Sequence, residues 1–229
     1  MAVEKKTGSW QLQSGQYLGE ISALCFLHLP SSFSSFPYLI AGSGSQIMVY
    51  DLEVGRMVAM GQLVSVSLTL LQSLPKFANW VLDVSFLKGS VSGSNEEGDC
   101  LAIGCSDNSV HLWDVTTSTV VLEVHHPEKT LLYSMRLWGD NLQTLRIASG
   151  TIYNEIIVWK VVPQYDASSL ASQVEDHIDQ SNLFPNCVQP HGCKYEASHM
   201  CKLSGHEGSI FRIAWSFDGS KLVSVSDDR

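Results

Sequence analysis

Leu101-Ala-Ile-Gly-Cys-Ser106-Asp107-Asn108-Ser-Val110-His-Leu-Trp113-Asp114 is the stretch that decides how this chain folds. Apolar residues give way to small ones, the chain turns at two short polar residues, and it returns to end on an aromatic residue followed by Asp. Asp107-Asn108 supplies a tight turn, because short polar side chains tolerate the left-handed backbone such turns require. The stretch therefore reads as strand, turn, strand.

Working outward, the same order recurs. Ile21-Ser-Ala-Leu24-Cys-Phe26, Val81-Leu-Asp-Val84-Ser-Phe86, Leu132-Tyr-Ser-Met135-Arg-Leu137 and Ile210-Phe-Arg-Ile213-Ala-Trp215 share one pattern of apolar, two variable, apolar, one variable, large apolar. Each precedes a strand that ends in small residues: Leu39-Ile-Ala-Gly-Ser43, Leu101-Ala-Ile-Gly-Cys-Ser106, Leu145-Arg-Ile-Ala-Ser-Gly150 and Leu222-Val-Ser-Val-Ser226. A third strand follows three of them: Ile47-Met-Val-Tyr-Asp51, Val110-His-Leu-Trp-Asp114 and Ile156-Ile-Val-Trp-Lys160. Self-similarity at a fixed order is the signature of a repeat architecture.

Trp113-Asp114 and Gly205-His206 match the two halves of the WD-repeat signature, and with the four registers they resemble a WD40 β-propeller. That resemblance implies an all-β fold, an incomplete propeller of about three and a half four-stranded blades. It also implies a structural hydrogen-bonded network in each blade. The network joins a His before the blade, a Ser or Thr on the second strand, an Asp in the turn and the Trp of the third strand. Ser106, Asp107 and Trp113 match three of these in the second repeat, which no Gly-His precedes. His206, Ser224 or Ser226, and Asp227 or Asp228 match in the last; Trp159 is the third-strand Trp of the third repeat. These positions, with Asp114 and Gly205, are expected to be structural, and His206 a paired blade histidine rather than a base.

First strands start at Ile21, Val81, Leu132 and Ile210, intervals of 60, 51 and 78 residues. A plain WD repeat takes about 40 to 45. The excess is expected in loops, chiefly a polar, mobile insertion at about 162–198 between the third and fourth strands of its blade. Residues 1–15 read as a flexible N-terminus and 16–229 as the partial propeller. His125-His126 is expected to end an outer strand. From Tyr50 to Trp80 an additional blade is expected of the family, and a shorter Ser-rich alternation from Gly61 to Ser73 stands there instead. The ending at Asp227-Asp228-Arg229 looks like a truncated or alternatively spliced product or a fragment of a gene model, whose open edges would pair with other chains or aggregate.

Composition bounds the function. With 45% apolar and 16% charged residues the chain can bury a core. Fourteen Lys and Arg against 23 Asp and Glu give a formal charge of −9, which opposes direct binding to DNA or RNA phosphates. The uncharged run Met57 to Pro75 is about long enough to cross a bilayer, yet Val64, Val66, Leu68 and Leu70 alternate with Ser65, Ser67 and Thr69, which is strand periodicity. No signal peptide is read in MAVEKKTGSW, and six cysteines are expected to be reduced thiols, as in the cytoplasm or nucleus; a cytoplasmic location is expected. Cys187, His191, Cys193, His199 and Cys201 collect five potential zinc ligands, but their spacing fits no paired Cys-x2-Cys knuckle, so no metal is expected. Phosphate-binding loops, nucleophile elbows and zinc-protease motifs are missing. No catalytic residue and no cofactor are expected.

A closer resemblance rests on Gly19-Glu-Ile-Ser-Ala-Leu-Cys25, Ala41-Gly-Ser-Gly-Ser-Gln-Ile-Met-Val-Tyr50, Trp80-Val-Leu-Asp-Val-Ser-Phe-Leu-Lys-Gly89 and Ile147-Ala-Ser-Gly-Thr-Ile-Tyr-Asn-Glu-Ile-Ile-Val-Trp159. These look like the amino-terminal propeller of the WD-repeat protein 6 family, over most of the chain from about Gln16 to Arg229. The resemblance implies a non-catalytic subunit that holds a tRNA 2′-O-ribose methyltransferase and supports wobble-nucleotide methylation, contacting tRNA only weakly or through its partner. The competing reading is a generic WD-repeat interaction adaptor, such as a ubiquitin-ligase substrate receptor. Such adaptors often carry Trp-Asp-x-Arg, and Trp113-Asp-Val-Thr116 lacks the Arg.

Overall fold

A computed structural model describes residues 20–27, 38–54, 66–89, 99–164 and 194–229. The described residues form fourteen strands and no helix, and the chain divides into two compact units between Ala78 and Asn79.

The first unit holds one antiparallel sheet in sequence order: β1 (Ile21–Leu27), β2 (Tyr38–Ser43), β3 (Gln46–Val54) and β4 (Val66–Ser73). Gly44, at φ 57°, makes the tight turn between β2 and β3, a conformation that favours glycine. Ile40 and Ile47 are fully buried, and Ala41, Met48 and Tyr50 pack with Leu39 and Leu70. The Ser-rich alternation standing in place of an additional blade has the strand period expected of it and serves as the fourth strand of this sheet: β4 pairs along β3 from Met48↔Ser73 to Val54↔Val66. β3 would otherwise be an unpaired edge, and a period-two segment satisfies its backbone groups.

The second unit contains two four-stranded sheets and one two-stranded sheet. The first comprises β5 (Val81–Leu87), β6 (Cys100–Cys105), β7 (Ser109–Asp114) and β8 (Thr119–His125). The next comprises β9 (Leu132–Trp138), β10 (Arg146–Thr151), β11 (Glu155–Gln164) and β12 (Lys194–Ser204). The last pairs β13 (Ile210–Trp215) with β14 (Leu222–Ser226). β11 and β12 pair out to Gln164↔Lys194, so the insertion expected at 162–198 has tighter bounds: Val162 faces Glu196 and Lys160 faces Ser198 inside the ladder. Polar residues on β12 reflect its exposed outer position rather than a loop, while Tyr195 and Ala197 pack on the core.

Neighbouring sheets in this unit pack face to face. Leu112 and Val124 meet Met135, Leu145, Ile147 and Trp159 in one cluster; Ala148, Ile156 and Val158 meet Ile210 and Ile213 in another. Each fully buried large apolar side chain contributes roughly 1.5–3 kcal/mol. The small residues ending each second strand now have a cause. A Cβ on Gly150 would meet Ile210 Cγ2 at 2.8 Å and Ile213 Cδ1 at 3.0 Å, and one on Gly104 would strike Met135. The next sheet's first strand occupies that space.

One charge crosses the first of these interfaces. Leu137 N–H donates to Asp83 Oδ2 at 2.7 Å, and Arg136 Nη1 reaches Asp83 Oδ1 at 3.4 Å and Leu82 O at 3.2 Å. Burial nevertheless raises the Asp83 carboxyl to about 6, with Arg136 and the Leu137 amide acting against it.

Candidate functional site

The turns that close each second strand are built alike. Asn108, Asn154 and Arg229 stand at φ 63°, 68° and 62°, which places Asp107, Tyr153 and Asp228 at equivalent positions just before them. The strand pairings give a second set of equivalents: Ile103 opposite Val84, Ser149 opposite Met135, Ser224 opposite Ile213.

In the last sheet His206 Nδ1 is 2.7 Å from Asp228 Oδ2, its Nε2 is 2.9 Å from Ser224 Oγ, and Glu207 N–H donates to Asp228 Oδ2 at 2.9 Å. The two alternatives left by the sequence are thereby decided: Ser224 and Asp228 join His206, while Ser226 and Asp227 do not. Gly205, at φ 150°, delivers the histidine. The Glu207 amide, then His206, holds the Asp228 carboxyl below its ordinary value. A cleft of about 260 Å³ beside His206 is lined by Ile156, Leu203, Leu222 and Ser224.

The preceding sheet solves the same problem differently. Trp159 Nε1 donates to Ser149 Oγ at 3.0 Å, and Ser149 Oγ donates to Asn108 Oδ1 at 2.7 Å. Asn108 comes from the β6–β7 turn, is fully buried, and donates its amide to Glu128 O at 3.1 Å. Tyr153 stands where Asp107 and Asp228 stand, so this sheet has no turn carboxylate. His126 lies just beyond β8, with its ring 5.5 Å from that of Trp159 and 5.9 Å from that of His199. Its Nδ1 accepts from Glu128 N–H at 3.1 Å, its buried Nε2 has no partner among the described residues, and burial lowers its pKa.

In the β5–β8 sheet Ser106 does not take the strand position expected of it. β6 ends at Cys105, and the equivalent of Ser149 and Ser224 is Ile103, fully buried. Ser106 instead ties loops together: its N–H donates to Trp80 O at 2.8 Å, its O accepts from Leu132 N–H at 3.0 Å, and its Oγ accepts from Trp80 N–H at 3.3 Å. Asp107 accepts from Asn79 Nδ2 at 2.8 Å and from Ser109 Oγ at 2.7 Å. Trp113 is buried opposite Leu101, as Trp159 is opposite Ile147. Asp114 Oδ1 closes the following turn by accepting from Thr116 N–H at 2.7 Å and Thr117 N–H at 3.1 Å.

Sequence reasoning placed Asn108 in its turn and Ser149 on its strand but missed the bond between them, and it missed the cluster on β7 and β8. There His125 Nε2 is 2.7 Å from Glu123 Oε1, His111 Nδ1 is 3.8 Å from Glu123 Oε2, and His125 Nδ1 is 3.8 Å from Asp107 Oδ2. The alternation Ser109-x-His111 opposite Glu123-x-His125 was the available signal. Burial lowers the His111 pKa against the pull of Glu123 and Asp107.

Among the described residues no three His, Cys, Asp or Glu side chains form a group that could hold a metal ion. Of the cysteine and histidine cluster weighed from the sequence, Cys187, His191 and Cys193 lie outside the described residues, and His199 and Cys201 sit on β12. The buried thiols are pushed up, to about 11 at Cys100 and about 12 at Cys105, chiefly by burial, so neither is a nucleophile near neutral pH. No helix among the described residues is long and apolar enough to cross a membrane.

Comparison with known proteins adds three findings. The pattern described as WD domain, G-beta repeat matches residues 197–229. The chain is similar to the "tRNA (34-2'-O)-methyltransferase regulator WDR6" of Homo sapiens, 27% identical over 152 residues, covering 66% of this chain and 10% of that protein. Against the same-named protein of Mus musculus it is 25% identical over 152 residues, with the same coverage. The chain thus spans about a tenth of the length of these curated relatives. Among solved structures, a chain of Chaetomium thermophilum Polycomb Repressive Complex 2 bound to GSK126 superposes with a TM-score of 0.56 at 13% identity, over 93% of this chain and 39% of that one. A chain of an active polycomb repressive complex 2 in the basal state gives 0.54 at 13% identity, over 95% and 38%. These likenesses concern the fold alone, an all-β incomplete WD40 propeller.

Proposed function

From a WD-repeat chain that resembles the regulators of a tRNA wobble methyltransferase, we propose a non-catalytic subunit that binds a tRNA 2′-O-ribose methyltransferase and supports methylation of nucleotide 34. The observation that carries this reading is the similarity to those regulators over 152 residues. The polar constellations support it, because their groups are spent on one another. Trp159 bonds Ser149, His206 is held between Asp228 and Ser224, and Asp107 is held by Asn79 and Ser109. In this reading Asp107, Trp113, Asp114, Trp159, Gly205, His206 and Asp228 shape the blades, Ser106 ties their loops, residues 16–229 form the propeller segment after 1–15, and the chemistry and cofactor belong to the partner. The charge of −9 leaves tRNA to be held mainly by that partner, and the assembly works in the cytoplasm.

The test is affinity purification of the gene product with identification of co-purifying proteins, alongside mass spectrometry of nucleotide 34 in cells lacking it. Recovery of the methyltransferase and loss of the 2′-O-methyl group are expected. Ubiquitin-ligase subunits without a methyltransferase, or unchanged methylation, would overturn the reading in favour of a general adaptor.

A further inference from the structure

Five large apolar side chains at one end of the second unit are left facing water: Trp80 (65% exposed), Leu131 (64%), Tyr133 (56%), Tyr153 (69%) and Phe211 (44%). They are neighbours by construction. Ser106 bonds Trp80 on one side and Leu132 on the other, Leu132 pairs with Thr151 just before the Tyr153 turn, and the rings of Tyr133 and Phe211 are 5.5 Å apart. Packing does not require them, since the alternate positions Leu132, Ser134 and Ile210 supply the buried face. Contiguous exposed apolar surface marks an interaction site, and aromatic residues dominate such sites energetically.

The charges around this row say what fits it. The loops, turns and strand ends there carry Asp107, Glu128, Glu155, Glu207, Asp227 and Asp228 against Lys129, Lys202, Arg212 and Arg229, six acids to four bases; Lys202 pairs with Glu128 at 3.2 Å and Glu155 at 3.1 Å, so the excess negative charge sits at the turn aspartates and Glu207. Carboxylates beside aromatic faces favour a cation, which ring quadrupoles attract as well; the fold already seats Arg146 over the Trp138 ring at 5.2 Å. A nucleic acid would bring phosphates into the same negative field, which disfavours it.

We propose that the row formed by Trp80, Leu131, Tyr133, Tyr153 and Phe211 docks a segment of a protein partner that carries Lys or Arg side chains between apolar ones. This deepens, and rests on, the reading of the chain as a partner-binding subunit: it names the surface and the chemistry of what binds there.

The experiment titrates the full chain with a labelled dodecapeptide of alternating Leu and Arg, its Leu-Glu counterpart, and oligouridylate, read by fluorescence anisotropy. The paired substitution Tyr133→Ser with Phe211→Ser is set against Val120→Ser with Val121→Ser, exposed residues near the opposite end of β8, and circular dichroism checks that both variants fold. The Leu-Arg peptide should bind, bind more weakly with added salt, and lose at least about tenfold affinity in the first variant and little in the second. Absence of binding, equal loss in both variants, or preference for the Leu-Glu peptide or the RNA overturns the proposal. Purified tRNA 2′-O-ribose methyltransferase is then tested separately. Retention that survives Tyr133→Ser with Phe211→Ser sinks the surface and keeps the functional reading. Peptide binding without methyltransferase binding keeps the surface and sinks that reading.

Discussion

The β9–β12 sheet and the β13–β14 sheet start from one pattern and end in different physical states. In the first, Trp159 is fully buried, Ser149 bonds it from within, and Gly150 makes room for Ile210. In the second, the network is His206, Ser224 and Asp228, partly open to water, and Val225 stands exposed at the position of Gly150. A repeat element is thus defined less by its own residues than by whether a neighbour covers its face. Where one does, a polar group must be bonded inside the core; among the described residues nothing lies over β14, and there water shares the task.

The widest gap should come from a fully buried side chain of the covered sheet set against an exposed one of the open sheet. Trp159→Ala is expected to cost about 3–5 kcal/mol in denaturant unfolding, whereas Val225→Ala should stay within about 0.5 kcal/mol. Near-equal losses would break the contrast.

The interface ahead of β9 differs again, because it carries the Asp83 charge. A carboxyl raised to about 6 from 3.8 binds a proton more readily folded than unfolded, so it makes stability rise as pH falls from about 6 towards 4. His126, lowered by burial, acts in the opposite sense: its contribution is present above the unfolded pKa of 6.5 and is lost as pH falls. The difference between the pH profiles of the wild type and Asp83→Asn isolates the aspartate. It should amount to on the order of 2 kcal/mol across that window, and parallel profiles would refute the assignment.

Gly150→Val places in the covered sheet what the open sheet carries. It should lose about 1–3 kcal/mol by overpacking against Ile210 and Ile213, while Val225→Gly, measured by the same unfolding experiment, should cost less than about 1 kcal/mol. The polar networks should show the narrowest gap between the two sheets. Asn108→Gly keeps the left-handed turn but strands the Ser149 hydroxyl, for about 1–3 kcal/mol. His206→Ala, in a network water can reach, should cost about 1 kcal/mol or less.

Some of this was legible in residues alone. Period-two alternation, small residues before a turn and an aromatic after it located all four inner strand pairs, and Gly205-His206 located the histidine. The errors share one cause. Ser106 looked like the strand serine because it is a serine before Asp-Asn, yet a single residue separates strand from turn and reverses the face a side chain presents. Only pairing shows that Ile103 holds that position, and only pairing separates Ser224 from Ser226. The strand period of β4 was legible, but its pairing along β3 was not, because periodicity names no partner; Val162–Gln164 was placed in the insertion because it adjoins a polar stretch.

The sequence by itself determined the strands, their order and the turns, since these follow from side-chain periodicity and backbone preference within a few residues. The tertiary structure alone decided register, the reach of Asn108 into the next sheet, the cost stored at Asp83, and which apolar side chains remain in water at the rim. Each of those depends on what stands opposite a residue, and that is fixed by packing between segments distant in the chain.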